Sequence, residues 1–221
     1  MNTQGLAVIF DMDGLMLDTE RVAMQAWKGA AAANGLDLPD DVYCSLIGRP
    51  DAECRLILEG HRWTTADIDR LETEAREEYL SLLEREGVPI KPGLFEVLDY
   101  LDAHAIPRAV ATSTHTHLAR QKLERVGAIS RLPIIVGGDQ VARGKPAPDI
   151  YLLAAERLAC PASRCLALED SPVGVRAASA AGMAVILVPD LAPIDAEIAG
   201  LAAAVVSSLS EAIQTLQRLV R

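Results

Sequence analysis

The sequence predicts an α/β fold, a doubly wound parallel sheet carrying an inserted α-helical unit, on three observations. From about residue 93 onward, short apolar runs alternate with stretches of helical periodicity. One further apolar run, Leu6 to Phe10, stands alone near the start. Between it and the next run, near Ile106, lie about 90 residues, far more than the single helix of a βαβ crossover needs.

The elements justify this in order. "LAVIF" (6 to 10) reads as a buried strand. The segment 19 to 88 is almost purely helical in pattern. "ERVAMQAWKGAAAANG" places Val22, Ala26, Ala30 and Ala33 on one face and stops at Gly35. "TTADIDRLETEAREEYLSLLEREG" starts at a Thr cap and stops at Gly87. Linkers near Leu15 to Thr19 and near Gly87 to Gly93 join this unit to the rest. Residues 1–17 and 90–221 are thus expected to form a Rossmann-like core domain, and 18–89 a helical cap.

Beyond the cap, strands are expected in "IPRAVAT" (106 to 112), "LPIIVGG" (132 to 138), "RCLALED" (164 to 170), "MAVILVP" (183 to 189) and "AAAVVSS" (202 to 208). Helices are expected in "GLFEVLDYLDAH", "THLARQKLERVG", "APDIYLLAAERLA", "SPVGVRAASAAG" and "SLSEAIQTLQRLV". Alternation of this kind gives a mostly parallel sheet covered by helices.

Composition narrows the function. The 221 residues, 50% of them hydrophobic, suffice for a full core. With 31 acidic against 21 basic residues and no run of Lys or Arg, the chain offers no stripe for nucleic acid or an anionic membrane. A negatively charged ligand must be held locally, by a metal or a few basic groups. Met1 to Gly5 is short and uncharged, and no apolar run approaches the ~20 residues of a membrane span, so a cytoplasmic protein without a signal peptide is expected. Cys44, Cys54, Cys160 and Cys165 form no CxxC pair and read as reduced, partly buried thiols. Nothing in the sequence demands more than a monomer.

In an open parallel sheet the ligand sits at the carboxyl ends of the strands, near the point where strand order reverses. Four strand ends here carry reactive groups: Asp11-Met12-Asp13-Gly14, Thr112-Ser113, Gly144-Lys145-Pro146 after the third strand, and Glu169-Asp170-Ser171. Carboxylates that converge without compensation repel, and a hard divalent cation removes the conflict. Asp11 and Asp170, with Glu169 through water, make an all-oxygen set suited to Mg²⁺. Lys145 and Thr112 add a fixed positive charge and a hydroxyl donor for a phosphoryl group, and Gly14 lets backbone N–H groups curl around the same anion.

These residues resemble the haloacid dehalogenase superfamily, in its sugar-phosphatase and β-phosphoglucomutase-like branch. "DMDGLMLDTE" is similar to the family's first motif, and Thr112, followed by Ser113, sits where its second has Ser or Thr. "GKPAPDIY" is similar to its lysine motif and "LEDSPVGVRAA" to its acidic fourth motif. The resemblance spans essentially the whole chain. It implies a Mg²⁺-dependent phosphatase acting on a small phosphorylated metabolite, such as a sugar phosphate, through an aspartyl-phosphate. Asp11 would be the nucleophile, and Asp13 would protonate the leaving alcohol and then deprotonate water. Mg²⁺ would be held by the Asp11 carboxylate, the Asp13 carbonyl and Asp170. Lys145 would bridge nucleophile and phosphate, Thr112 would bind a phosphoryl oxygen, and Arg49 in "LIGRPDAE" would reach the substrate's far end. Arg49 reads equally as a surface residue capping a helix.

Three alternatives remain beside this one. A β-phosphoglucomutase resembles the chain through Ala26-Trp27-Lys28 but carries a His where this sequence has Ala23, which leaves water as the favoured acceptor. A haloacid dehalogenase proper would need neither Mg²⁺ nor Asp13. A non-catalytic metal-binding protein would leave the filled catalytic positions unexplained. Trp27 and Trp63 read as cap core, and His115 and His117 as partly exposed residues at the rim. Asp18 reads as structural, fixing the linker or capping the first cap helix.

Overall fold

The structure, a computed structural model, describes residues 5–47, 49 and 51–219. Met1 to Gln4, and Gly48 of the turn beside Arg49, lie outside them. Strand β1 (Ala7–Phe10) is followed by four helices, α1 (Thr19–Ala33), α2 (Asp40–Leu46), α3 (Asp51–Gly60) and α4 (Thr65–Glu86). The alternating part then runs α5 (Leu94–Ala103), β2 (Arg108–Thr112), α6 (Thr116–Arg125), β3 (Ile134–Gly137), α7 (Asp149–Arg157) and β4 (Cys165–Glu169). It closes with α8 (Pro172–Ala180), β5 (Ala184–Leu187), α9 (Ala196–Leu201), β6 (Ala204–Val205) and α10 (Leu209–Leu219).

All pairings in the sheet are parallel, and the strand order is β3-β2-β1-β4-β5-β6. Every strand lies inside a run expected from the sequence. Alternation of side chains divides each strand between two cores. Val8, Phe10, Val110, Leu166 and Leu168 pack under α5, α6 and α10. Ala7, Ile9, Ala109, Ala167 and Val185 pack under α7, α8 and α9. Burial on both faces explains why these strands read as unbroken apolar runs. Helix α9 was not expected, because six residues are too few to display a helical period. Asp195 caps it by accepting from the Ile198 N–H at 2.8 Å.

The inserted helices surround an apolar cluster of their own, which includes Ala30, Ala31, Leu38, Leu58, Trp63, Ile68 and Leu71. Trp63 is buried and Trp27 packs against the cluster, as expected of cap core. The face of α1 is corrected: Ala26, Ala30 and Ala31 are buried while Ala33 is exposed. The stripe continues through Trp27 and Ala31 by steps of four, which keeps it against α4. Thr64 caps α4 as expected, accepting from the Asp67 N–H at 3.2 Å while Asp67 accepts from the Thr64 N–H at 3.0 Å.

Two linkers join the insertion to the sheet, and they pair with each other. Asp18 N donates to Pro89 O at 2.9 Å and Lys91 N donates to Met16 O at 2.9 Å. Asp18 makes no side-chain cap on α1. Its carboxylate lies 3.0 Å from Lys91 Nζ, which also meets Asp190 at 2.5 Å beyond β5, so of its two expected roles Asp18 takes the linker. The four cysteines form no disulfide, and Cys165 is buried. Among the described residues no helix is long and apolar enough to cross a membrane.

Candidate active site

The strand order reverses at β1, which has β2 on one side and β4 on the other. Register sets the residues beyond these ends side by side: Phe10 pairs with Val110 and with Leu168, and Asp11 N donates to Leu168 O at 3.0 Å. Asp11 is thereby flanked by the carboxyl ends of both neighbours, Thr112 on one side and Glu169-Asp170 on the other. The chain then bends sharply, with Gly14 N donating to Leu17 O at 2.8 Å. Gly14 has φ +88, and a Cβ there would overlap the Asp170 carboxylate, so only glycine fits. Met12 points into the core while Asp11 and Asp13 face the cleft.

Lys145 comes from the loop before α7. Its Nζ lies 2.5 Å from Asp11 Oδ1 and 2.5 Å from Glu169 Oε1, and its side chain is 4% exposed. Burial opposes the ammonium, but Asp11 and Glu169 outweigh it and hold Lys145 well above its ordinary value. Glu169 is wholly buried, and both its oxygens are engaged. Oε1 also accepts from Tyr151 Oη at 2.6 Å, and Oε2 accepts from the N–H groups of Asp170 (3.0 Å) and Ser171 (3.3 Å) and from Ser171 Oγ (3.2 Å). Gly174, in the first turn of α8, lies so close that a Cβ there would strike the Glu169 carboxylate.

Asp11, Glu169 and Asp170 each offer an oxygen within 4.8 Å of the others. Burial pushes the Asp11 carboxyl up, against the pull of Lys145. Burial does the same to Asp170, and the Asp11 charge adds to it. Asp170 Oδ1 is buried with no hydrogen-bond partner among the described residues. Two crowded carboxylates, one with an orphaned oxygen, fit a hard divalent cation.

Asp13 is held differently. Its Oδ1 accepts from Thr19 Oγ1 at 2.6 Å and from Lys122 Nζ at 2.7 Å, and its Oδ2 accepts from Thr114 Oγ1 at 2.7 Å. Burial would raise this carboxyl, but Lys122, Thr19 and Thr114 together outweigh it and leave the acid below its ordinary value. Thr112 is buried, with Oγ1 3.5 Å from Asp13 Oδ2. Asp11, Asp13, Thr112, Thr114, Lys122, Lys145 and Asp170 open onto a cavity of about 610 Å³ between the sheet rim and the inserted helices, while Glu169 lies behind it. The inserted helices line it with Ala23, Ile47, Leu80 and Leu83 together with the polar Glu20, Arg76, Tyr79 and Glu84.

The haloacid dehalogenase-like hydrolase profile matches residues 6–182, most of the chain. The chain belongs to this family of hydrolases. A phosphorylated carbohydrates phosphatase of Thermotoga maritima is 34% identical over 177 residues, covering 80% of this chain and 82% of its own. Hexitol phosphatase A of Escherichia coli is 33% identical over 181 residues, covering 81% of each. A CbbY variant from Rhodobacter sphaeroides, solved with xylulose-1,5-bisphosphate, is 28% identical and superposes with a TM-score of 0.76 over 94% of this chain and 96% of that one.

Within this haloacid dehalogenase-like frame, Asp11, Asp13, Thr112, Ser113, Lys145 and Asp170 line one cavity, and Glu169 does not. Arg49 does not line it. Its Nε donates to Ser45 O at 2.7 Å and it pairs with Glu53 at 3.2 Å, so it caps the end of α2, the second of the two readings open at the sequence level. His115 and His117 are exposed, and only His115 lines the cavity.

Sequence reasoning missed Thr114, Lys122, Tyr79, Tyr151 and Gly174. Tyr151 and Gly174 stand inside the quoted motifs, where a fixed offset from Lys145 and Glu169 was a usable signal. Lys122 gave none, since a lysine between Gln121 and Leu123 of an amphipathic helix looks solvated.

Proposed function

We propose that the chain is a phosphoric monoester hydrolase that cleaves a small phosphorylated carbohydrate through a phosphorylated Asp11. The observation that carries this is the position of the Asp11 carboxylate, at the reversal of strand order, bridged by Lys145 and facing Asp13 across one cavity. The substrates for which its relatives are named, phosphorylated carbohydrates and a hexitol phosphate, support the substrate class.

Asp11 attacks phosphorus, and the P–O bond to the leaving alcohol breaks. Asp13 delivers a proton to that oxygen and later takes one from the water that cleaves the acyl phosphate, a role that needs the same carboxylate in both protonation states. Lys145 screens the charge between Asp11 and the phosphoryl group, and Glu169, with Tyr151 and Ser171, fixes Lys145 in place. Thr112 and Ser113 donate to phosphoryl oxygens. A divalent cation, Mg²⁺ in our reading, would be held by Asp11, Asp170 and the Asp13 carbonyl. It would supply charge neutralisation between nucleophile and phosphate. Glu169 would support that cation from behind Asp11 and Asp170 rather than hold it, because its oxygens already carry five hydrogen bonds, two on Oε1 and three on Oε2.

In this reading residues 1–17 and 90–221 are the catalytic core, and residues 18–89 are a cap that excludes bulk water when it closes. The paired linkers and the cap's separate apolar cluster support that division. Transfer to a second sugar hydroxyl is not favoured, since Ala23 presents no polar atom to the cavity. The test is phosphate release from a panel of phosphorylated carbohydrates. Asp11→Asn is expected to lower it at least about a thousandfold, and wild-type rates in that variant would refute the mechanism.

A further inference from the structure

Asp13 must move protons, yet in this fold it is gripped by donors from three separate elements. Thr19 Oγ1 stands at the start of α1, Thr114 Oγ1 follows β2, and Lys122 Nζ comes from the second turn of α6. Lys122 is the one that is costly to place. Its side chain is 11% exposed, and an ammonium so buried is tolerated only when paired. On its other side the ring of Tyr79, from α4 of the inserted helices, lies 5.3 Å from Nζ. Ala23, which faces the same cavity from α1, has no atom that could orient a carboxylate.

We propose that Lys122 is a positioning residue for Asp13, and that Tyr79 makes the positioning depend on the helical cap lying over the sheet. The proposal rests on the reading of Asp13 as the proton-transfer group. The ion pair holds the Asp13 carboxylate toward the cavity from the core side. The Tyr79 ring covers the ammonium from the cap side and keeps water from competing for it. When the cap lifts, Tyr79 leaves with α4, Lys122 hydrates, and Asp13 is released from its fixed orientation. Proton transfer and cap closure are thereby tied through one buried lysine.

The test uses leaving-group dependence, because an aryl phosphate such as p-nitrophenyl phosphate expels its alcohol without a proton while an alkyl phosphate does not. The kinetic quantity is kcat/KM, which reports steps up to departure of the alcohol. Lys122→Met is expected to lower it about a hundredfold for an alkyl phosphate and only a few-fold for the aryl ester. Asp13→Asn should show the same selectivity, and the double variant should add little to Asp13→Asn alone. Lys122→Arg should restore part of the loss, and Tyr79→Ala should reproduce it in smaller degree. If Lys122→Met does not fold by circular dichroism, Lys122→Gln takes its place. Equal losses on both esters, no loss on either, or full additivity with Asp13→Asn would overturn the role of Lys122. The phosphatase reading fails separately, on activity retained in Asp11→Asn.

Discussion

At Glu169 the physics of a single buried carboxylate organises the site. A wholly buried anion must have its lone pairs filled, and here Lys145, Tyr151, Ser171 and two backbone N–H groups fill them. Lys145 is consequently held where Asp11 needs it. Room for this anion depends on Gly174, where any Cβ would strike the carboxylate. Gly174→Ala is therefore expected to cost about 1–3 kcal/mol of stability and to lower activity by displacing Lys145. Urea unfolding and phosphate release measure the two effects, and unchanged values for both would show that α8 yields freely. The acids Asp11, Asp13, Glu169 and Asp170 were legible in the sequence because they follow apolar runs that could only be strands. The donors that hold each of them were not, because Lys122, Thr114 and Tyr151 come from elements far apart in the chain.

Among the elements, α6 has the most to position, since it carries Lys122. Its first turn is tied to the end of β3 by Asp139, whose Oδ1 accepts from Thr116 N at 2.7 Å and from Thr116 Oγ1 at 2.8 Å. The Thr116 amide and then its hydroxyl hold the Asp139 carboxyl below its ordinary value of 3.8. A carboxyl depressed by folding contributes stability above its unfolded value, and that contribution is lost as pH falls through the folded one. Asp139→Asn, which keeps an acceptor but not the charge, should be destabilised near neutral pH, with the gap to wild type closing below about pH 3.8. Urea midpoints across that range test it, and a gap that stays constant would remove Asp139 from the account. Most elements were legible from period and caps: Thr64 and Gly87 bound α4 as read. Helix α9 was hidden because six residues complete fewer than two turns.

At the scale of the whole molecule, an acidic chain binds an anionic ester by concentrating its compensation at one rim. The chain carries 31 acids against 21 bases, yet the cleft sets Lys145 and Lys122 beside its carboxylates and leaves Asp170 Oδ1 without a partner among the described residues. Chelation by EDTA is expected to abolish phosphate release, and added Mg²⁺ to restore it. Added Ca²⁺, which accepts looser and more numerous ligands, should restore it poorly. Activity that survives exhaustive chelation would rule out the cation. The sequence by itself determined the parallel sheet, its helical insertion and the acids at its edge, because burial on both faces and strand-end chemistry are written in local order. Only the tertiary structure decided that Lys122 grips Asp13 and Tyr79 covers Lys122. It also decided that Arg49 caps α2 away from the cavity. Contacts between residues dozens of positions apart depend on how two packed units meet, and no local period records that.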